Sequence, residues 1–571
     1  MKGLSLLRGG VPLFVALGLV WACGSSPTKR KAMVSPDGDA GEAGQLGQAG
    51  EQNTAGGTGG AAPGGGTGGE LPGSAGEGGE GGSIGVAGEA GSAADAGAAG
   101  TGVTPPQFHG LYVAPNGLDT NGGSHEQPFL TLAKAVASAH AGDTIVFLDG
   151  TFAKAPVATI PDGVDVMAEH SGQAKLACSF GSLFTFAGSS RVEGLEFDAC
   201  SQPIVAIASG TLTMVDLYLV SGGAETGAVH VGGAVRATLT GASGHSYALA
   251  GANLFYISDS ASLTVTGGTF QNVGNGGFSG NGLFRTADTA KLTLKDLTIV
   301  DVQQAAVSGG GNSVVTLDHV TADLLANTVV LLRDQTNFSS KNGTRLALKP
   351  TAPTRYECLR SELSAGAIVI DDTEITGCSS GINSTLPTTL TISNSKLDHN
   401  DGLAIDLGSY QASAPISTVT ISNTEISDDG PLNTQIHGGI RISAAILTMK
   451  LRSVTFKNIG GTFADATDMY LTASTGSSFD FGTLADPGLN TFQTNGVGSG
   501  IRMQSTNQAG ITVQAVGNTW TPNVQGADVQ GKYAPIGTAK TFDATGPIAV
   551  NSGAANYQLS TTTKLRLAEI P

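Results

Sequence analysis

The stretch LTISNSKLDHNDG begins at Leu390, and VTISNTEISDDG begins at Val419. Each runs Thr-apolar-Ser-Asn and then enters a turn dense in carboxylates. Oxygen donors grouped this way, Asp398 to Asp401 with His399 and Asn400 in the first and Asp428 and Asp429 in the second, are of the kind calcium takes. Asn, Asp and Gly also fill turns for purely local reasons. The architectural reading is favoured, because Asp216, Asp296, Asp372, Asn394 and Asn423 occupy one position of a recurring pattern. Stacked Asn side chains then form amide ladders, and the acids stand at exposed turns. Asp119 and Asn121 in LDTNGGS have better loop spacing and are the candidate metal ligands, with calcium the one cofactor considered.

A second chemistry is the cleavage of uronic-acid polymers, which needs a cation against the carboxylate and a base. Outward positions able to supply such groups are His230, Arg285, Asp406, Arg441, Tyr470 and Arg502. Alternation with apolar neighbours explains their polarity equally well, so no catalytic residue is assigned. Gly81-Gly82-Ser83-Ile84-Gly85 matches a nucleophile-elbow pattern but lacks the strand–turn–helix frame an elbow requires. The body holds no EF-hand loop, H-E-x-x-H or P-loop. The charge of −17, with no basic tract, argues against a nucleic-acid partner.

The elements that must position these residues are short strands. Aligning the apolar residue of the T-apolar-x-[DN] pattern gives Val192, Met214, Leu239, Val265, Leu294, Leu317, Ile370, Ile392, Ile421 and Leu451. The steps run from 22 to 30 residues, except one of 53 that hides a divergent coil near TRLALK at 344–349. Such steps, β-branched strands and Gly-rich turns predict an all-β chain, a single right-handed parallel β-helix over 106–571. A second strand in each coil follows a Gly, as in GGIRIS and SGIRMQ.

Residues 1–22 read as an export signal too short to span a bilayer. The end of this segment, Val20-Trp21-Ala22-Cys23, resembles the lipobox of bacterial lipoproteins. That resemblance implies lipidation of Cys23, a membrane as partner, and a place at the bacterial outer membrane or cell surface. An ordinary signal peptide with an incidental Cys is the alternative. Residues 23–105 are the lipidated Cys and a Gly/Ala-rich tether, whose composition cannot offset its chain entropy.

One segment is more specific. Tyr112-Val113, the Gly117, Asp119, Asn121, Gly122 turn, Gln127-Pro128-Phe129, Gly142-Asp143-Thr144-Ile145 and Gly150-Thr151-Phe152 resemble a bacterial family of unknown function that opens pectate-lyase-like β-helices. The resemblance implies an N-terminal cap module over 106–152, with a capping helix near Leu130–His140, and it carries over no activity. At the other end, 511–571 reads as a closing segment with Trp520, Tyr533 and Tyr557.

Two disulfides are expected, Cys178–Cys200 and Cys358–Cys378, because separations of 22 and 20 residues match one coil. Arg441, Tyr470 and Arg502 each lie between two apolar residues and about one coil apart, so they should stack as an outward column able to hold an acidic sugar. The sequence therefore favours a monomeric, non-catalytic envelope protein with a polysaccharide as ligand. A polysaccharide lyase or hydrolase is the alternative.

Overall fold

The structure is a computed structural model, and the described residues are 110–569, excluding segments such as 246–252, 275–281, 351–355, 409–416, 431–437, 461–466, 505–511, 521–528 and 534–540. Side chains are described as far as Thr519, with that of Arg502 excluded. The export signal, Cys23, the tether and Cys178 lie outside the described residues.

Alternating apolar residues fold into short strands that stack coil upon coil. One thirty-stranded sheet bends around a corner, and a sixteen-stranded sheet forms the remaining wall. Strand pairs are parallel, as in Thr389–Ser393 with Ser417–Ser422, so the chain is a parallel β-helix. An antiparallel pair near the C-terminal end, Ile548–Ser552 with Ala555–Leu559, departs from this pattern.

The repeat anchors form one column, in register from Val192 through Met214, Leu239, Val265, Leu294 and Leu317. It continues through Ile370, Ile392, Ile421 and Leu451. The hidden coil is present, and its anchor is Ser340, paired to Leu317 on one side and Ile370 on the other. TRLALK supplies that coil's next strand, Thr344–Leu348. Ser340 is buried and its hydroxyl accepts from Thr373 Oγ1 at 3.0 Å, so a polar pair occupies the core where the pattern requires a hydrocarbon.

Two residues after each anchor the chain turns the corner in left-handed backbone. Gly194, Asp216, Gly241, Gly267, Asp296, His319, Asn342, Asp372, Asn394, Asn423 and Ser453 all have φ between 44° and 72°. Short polar side chains and Gly tolerate this conformation best, which explains the residue types. No two acids are neighbours in this column, which spares it the repulsion a run of Asp would bring. Asp296 faces His319 at 2.8 Å. One amide rung is made, Asn423 Nδ2 to Asn394 Oδ1 at 3.3 Å, and Asn394 in turn donates to Asp371 at 2.8 Å. The recurring Asn is thus an architectural corner.

The N-terminal helix spans Leu132–Ser138, with Thr131 as its cap. Leu132 and Ala135 are buried, and the helix packs on Ala158–Ile160, the edge strand of the sixteen-stranded sheet. It protects an edge that would otherwise offer unpaired backbone groups. Cys358 and Cys378 form a disulfide with Cα atoms 5.5 Å apart. Cys200 is disulfide-bonded as well, and Cys178 was its expected partner. Towards the C-terminus the ladder continues: Trp520 pairs with Phe492 and Tyr557 with Phe542, while Tyr533 ends a strand paired to Leu565–Glu569.

Candidate functional site

The outer face of the sixteen-stranded sheet carries one continuous column. His230 pairs with Tyr256, Tyr256 with Arg285, and Arg285 with Ser308. The column runs on through Leu331, Arg360, Asn383, Asp406, Arg441, Tyr470 and Arg502. All six residues that alternation singled out in the second strand therefore share it. Sequence reasoning missed Tyr256, although Phe255-Tyr256-Ile257 has the same in–out–in signature, with Phe255 and Ile257 buried.

At its N-terminal end the column is an aromatic ladder. The His230 and Tyr256 rings lie 5.0 Å apart, and the Arg285 guanidinium stands 5.4 Å over the Tyr256 ring. Beneath them Phe255 and Phe284 stack at 4.7 Å, and Phe270 meets both edge-on. Among the described residues Arg285 has no carboxylate within ion-pair distance. A cavity of about 260 Å³ opens beside it, lined by Arg285, Asp288, the Gly309–Gly311 run, Arg333 and Asp334. His230 Nε2 lies 3.2 Å from Ser258 Oγ, which donates to Asp259. Burial pushes the His230 imidazole below its ordinary value, against the pull of Asp259, so it is neutral near pH 7.

Further along, the column is spent on itself. Arg441 donates through Nε to Asp406 at 2.7 Å, and a second guanidinium nitrogen closes a fork on the same carboxylate. Both groups are largely buried. Arg441 and Tyr470 are adjacent in register as expected, but this guanidinium is committed to Asp406 rather than presented to a ligand. The intervening Arg360 pairs with Glu362 at 2.8 Å.

A larger groove, about 490 Å³, lies along the corner and includes Arg345, Glu374, Lys396 and Glu425. Its cations are matched internally: Arg345 by Asp323 and Glu374, Lys396 by Asp398. The turn acids first weighed as calcium donors are also engaged. Asn400 and Asp429 are fully buried, and one Asp429 oxygen accepts from both the backbone and the side-chain nitrogen of Asn400 at 2.8 and 2.9 Å. Burial holds the Asp429 carboxyl well above the usual range, disfavouring the ionised form. Asp119 uses both oxygens on the helix entrance, accepting from the Leu130 and Thr131 amides and the Thr131 hydroxyl. Asn121 donates to the Pro128 carbonyl at 2.9 Å. These two residues build the capping loop, which explains their spacing without a metal.

That loop leads into the segment with recognisable relatives. Residues 115–194 match the model of a family described as Protein of unknown function (DUF1565). The match runs from the cap to the first left-handed corner at Gly194. The Uncharacterized protein YwoF of Bacillus subtilis (strain 168) is 52% identical over 42 residues, which is 7% of this chain and 9% of that protein. Solved structures with some likeness include a rhamnogalacturonan lyase, at 12% identity and TM-score 0.24, covering 63% of this chain and 84% of that one. A PL6 alginate lyase complex with trisaccharide shows 15% identity and TM-score 0.24, over 82% and 97% of the two chains. The pectate lyase Pel9A shows 12% identity and TM-score 0.15, over 65% and 76%. Likeness at this level carries no argument about activity, which rests on this chain's own side chains.

Proposed function

We propose that the protein binds an extended acidic polysaccharide along the outer face of its sixteen-stranded sheet, without cleaving it, while Cys23 carries a lipid that holds it at the cell surface. The observation behind the glycan reading is the His230–Tyr256–Arg285 ladder. The Tyr256 ring, flanked by the His230 ring on one side and the Arg285 guanidinium on the other, holds Arg285 in place, and Arg285 keeps its charge for a sugar carboxylate. Coils repeat at about 4.8 Å, so successive sugars of an extended chain meet successive rungs.

The test is retention of acidic and neutral polysaccharides by the wild type, Tyr256→Ala and Arg285→Ala. Each substitution should weaken acidic-glycan binding about tenfold. Equal retention by all three proteins would reject the ladder as the site. Cell fractionation tests the anchor: Cys23→Ser should move the protein out of the membrane fraction, and an unchanged distribution would reject lipidation.

A second reading follows from the neutral His230, which can accept a proton beside a cation. In β-elimination a base takes the proton next to the uronate carboxylate, the neighbouring carbon–oxygen bond breaks, and the leaving oxygen gains a proton. Arg285 would stabilise the charge gathered on the carboxylate. Ultraviolet-absorbing unsaturated ends, formed by the wild type and not by His230→Ala, would favour this reading over binding alone.

A further inference from the structure

We propose that His125, Asp149, Glu169 and His170 form a binding site for a divalent transition-metal cation of the zinc type at the N-terminal end of the β-helix. The four side chains come from three separate places. His125 is on the capping loop, Asp149 lies between strands Thr144–Phe147 and Gly150–Ala153, and Glu169 and His170 follow strand Asp165–Ala168. Phe147 pairs with Ala168, which sets Asp149 and His170 one above the other in successive coils.

His170 Nδ1 is 3.1 Å from each oxygen of Asp149 and 3.9 Å from Glu169 Oε2. His125 Nε2 is 2.9 Å from Glu169 Oε1. One ligand atom each from Asp149, Glu169 and His170 lie mutually within 4.8 Å. Ligand atoms around a tetrahedral zinc at its usual bond lengths stand roughly 3.3 Å apart, so these spacings bracket the required geometry. The Tyr112 ring, edge-on to His125 at 5.1 Å, orients that imidazole.

Charge is a separate argument. Among the described residues Asp149 and Glu169 pair with these two imidazoles alone, with no Lys or Arg. Elsewhere such carboxylates are commonly answered by Lys or Arg, as Glu196 is by Lys175 and Glu193 by Arg191. Two carboxylates and the His170 nitrogen converge at solvent-accessible positions without a cation, and the His125 imidazole stands beside them on Glu169. Two imidazoles in the set favour zinc or a neighbouring first-row ion over calcium or magnesium, which take oxygen. A bound ion would tie the capping loop to the first two coils.

The experiment is calorimetric titration of the full-length protein with Zn²⁺, with Co²⁺ absorption as a report on ligand type. The wild type should bind one equivalent and gain thermal stability. Glu169→Gln and His170→Ala should each lose affinity by more than about tenfold, and the Co²⁺ band should weaken. His319→Ala removes an exposed His with its own Asp partner and should match the wild type. Circular dichroism checks each fold, and Glu169→Gln preserves side-chain shape. Absence of a stoichiometric wild-type site, or unchanged affinity in folded Glu169→Gln, would overturn the proposal.

Discussion

Around Tyr256 and around Arg441 the same outward column is built in two ways. In the first stretch Arg285 lies over an aromatic ring, with stacked Phe side chains beneath and no carboxylate paired to it. In the second, Arg441 is forked onto Asp406 one coil away, above an aliphatic layer of Ile405, Ile440 and Met469. Both stretches present a cation beside a tyrosine in the alternation pattern. They differ in what stands one rung earlier, a tyrosine in one case and an aspartate in the other. In a solenoid the decisive neighbour of a side chain is a coil away, and here that neighbour determines whether a guanidinium remains available.

The comparison can be broken from beneath. Phe284→Ala removes a fully buried ring from the Phe255–Phe270–Phe284 cluster under the ladder. It should cost about 3–5 kcal/mol and lower glycan retention at temperatures where the variant remains folded. Chemical-denaturation midpoints, with retention measured in parallel, check both. Loss of stability with full retention would separate the ladder from the core beneath it.

It can also be broken by converting the second stretch towards the first. Asp406→Asn leaves the Arg441 guanidinium without its charged partner in a largely buried site, and should cost about 1–3 kcal/mol. If an unpaired guanidinium is what the ladder offers, this variant should retain acidic polysaccharide more strongly than the wild type. A less stable variant with unchanged retention would mean that Arg285 owes its role to Tyr256 rather than to its free charge.

The smallest effect sharpens the contrast with Asp406, because Asp429 is a buried acid held by Asn400 rather than by a guanidinium. The Asp429 carboxyl sits above its ordinary value in the folded state, so the fold favours the protonated form. Its contribution is whole below the ordinary carboxyl value and is lost as pH rises towards the raised folded value. Within that window wild-type stability should fall by up to about 1.4 kcal/mol per pH unit, and Asp429→Asn should remove the slope. Urea midpoints at several pH values from 4 to 8 measure it. Parallel curves for the two proteins would show that Asp429 ionises in place without cost.

Much of the frame was legible because two local rules coincide at most coils. Alternation marks the inward residues, and a Gly, Asn or Asp marks the left-handed corner, with His319 and Ser453 as exceptions. Ser340 escaped because a hydroxyl pair replaces the hydrocarbon there, while Tyr256 carried the same in–out–in signature as the others and was legible but overlooked. The commitment of Arg441 was not legible, since Asp406 lies 35 residues away and that step exceeds the usual coil. The gathering of His125 with His170 was hidden for the same reason: 45 residues separate them, and only stacking brings their segments together.

The corner column has a further implication for how such a chain can change length. Whatever the number of residues between one left-handed corner and the next, the corner falls two residues after its anchor. Duplication or excision of whole coils between equivalent corners would return the chain to the same phase. The inward face would remain inward, and the outward column would gain or lose one rung without a break. The corner is thus a splice point, at which unequal exchange within the gene can lengthen or shorten the outer face while the fold is preserved.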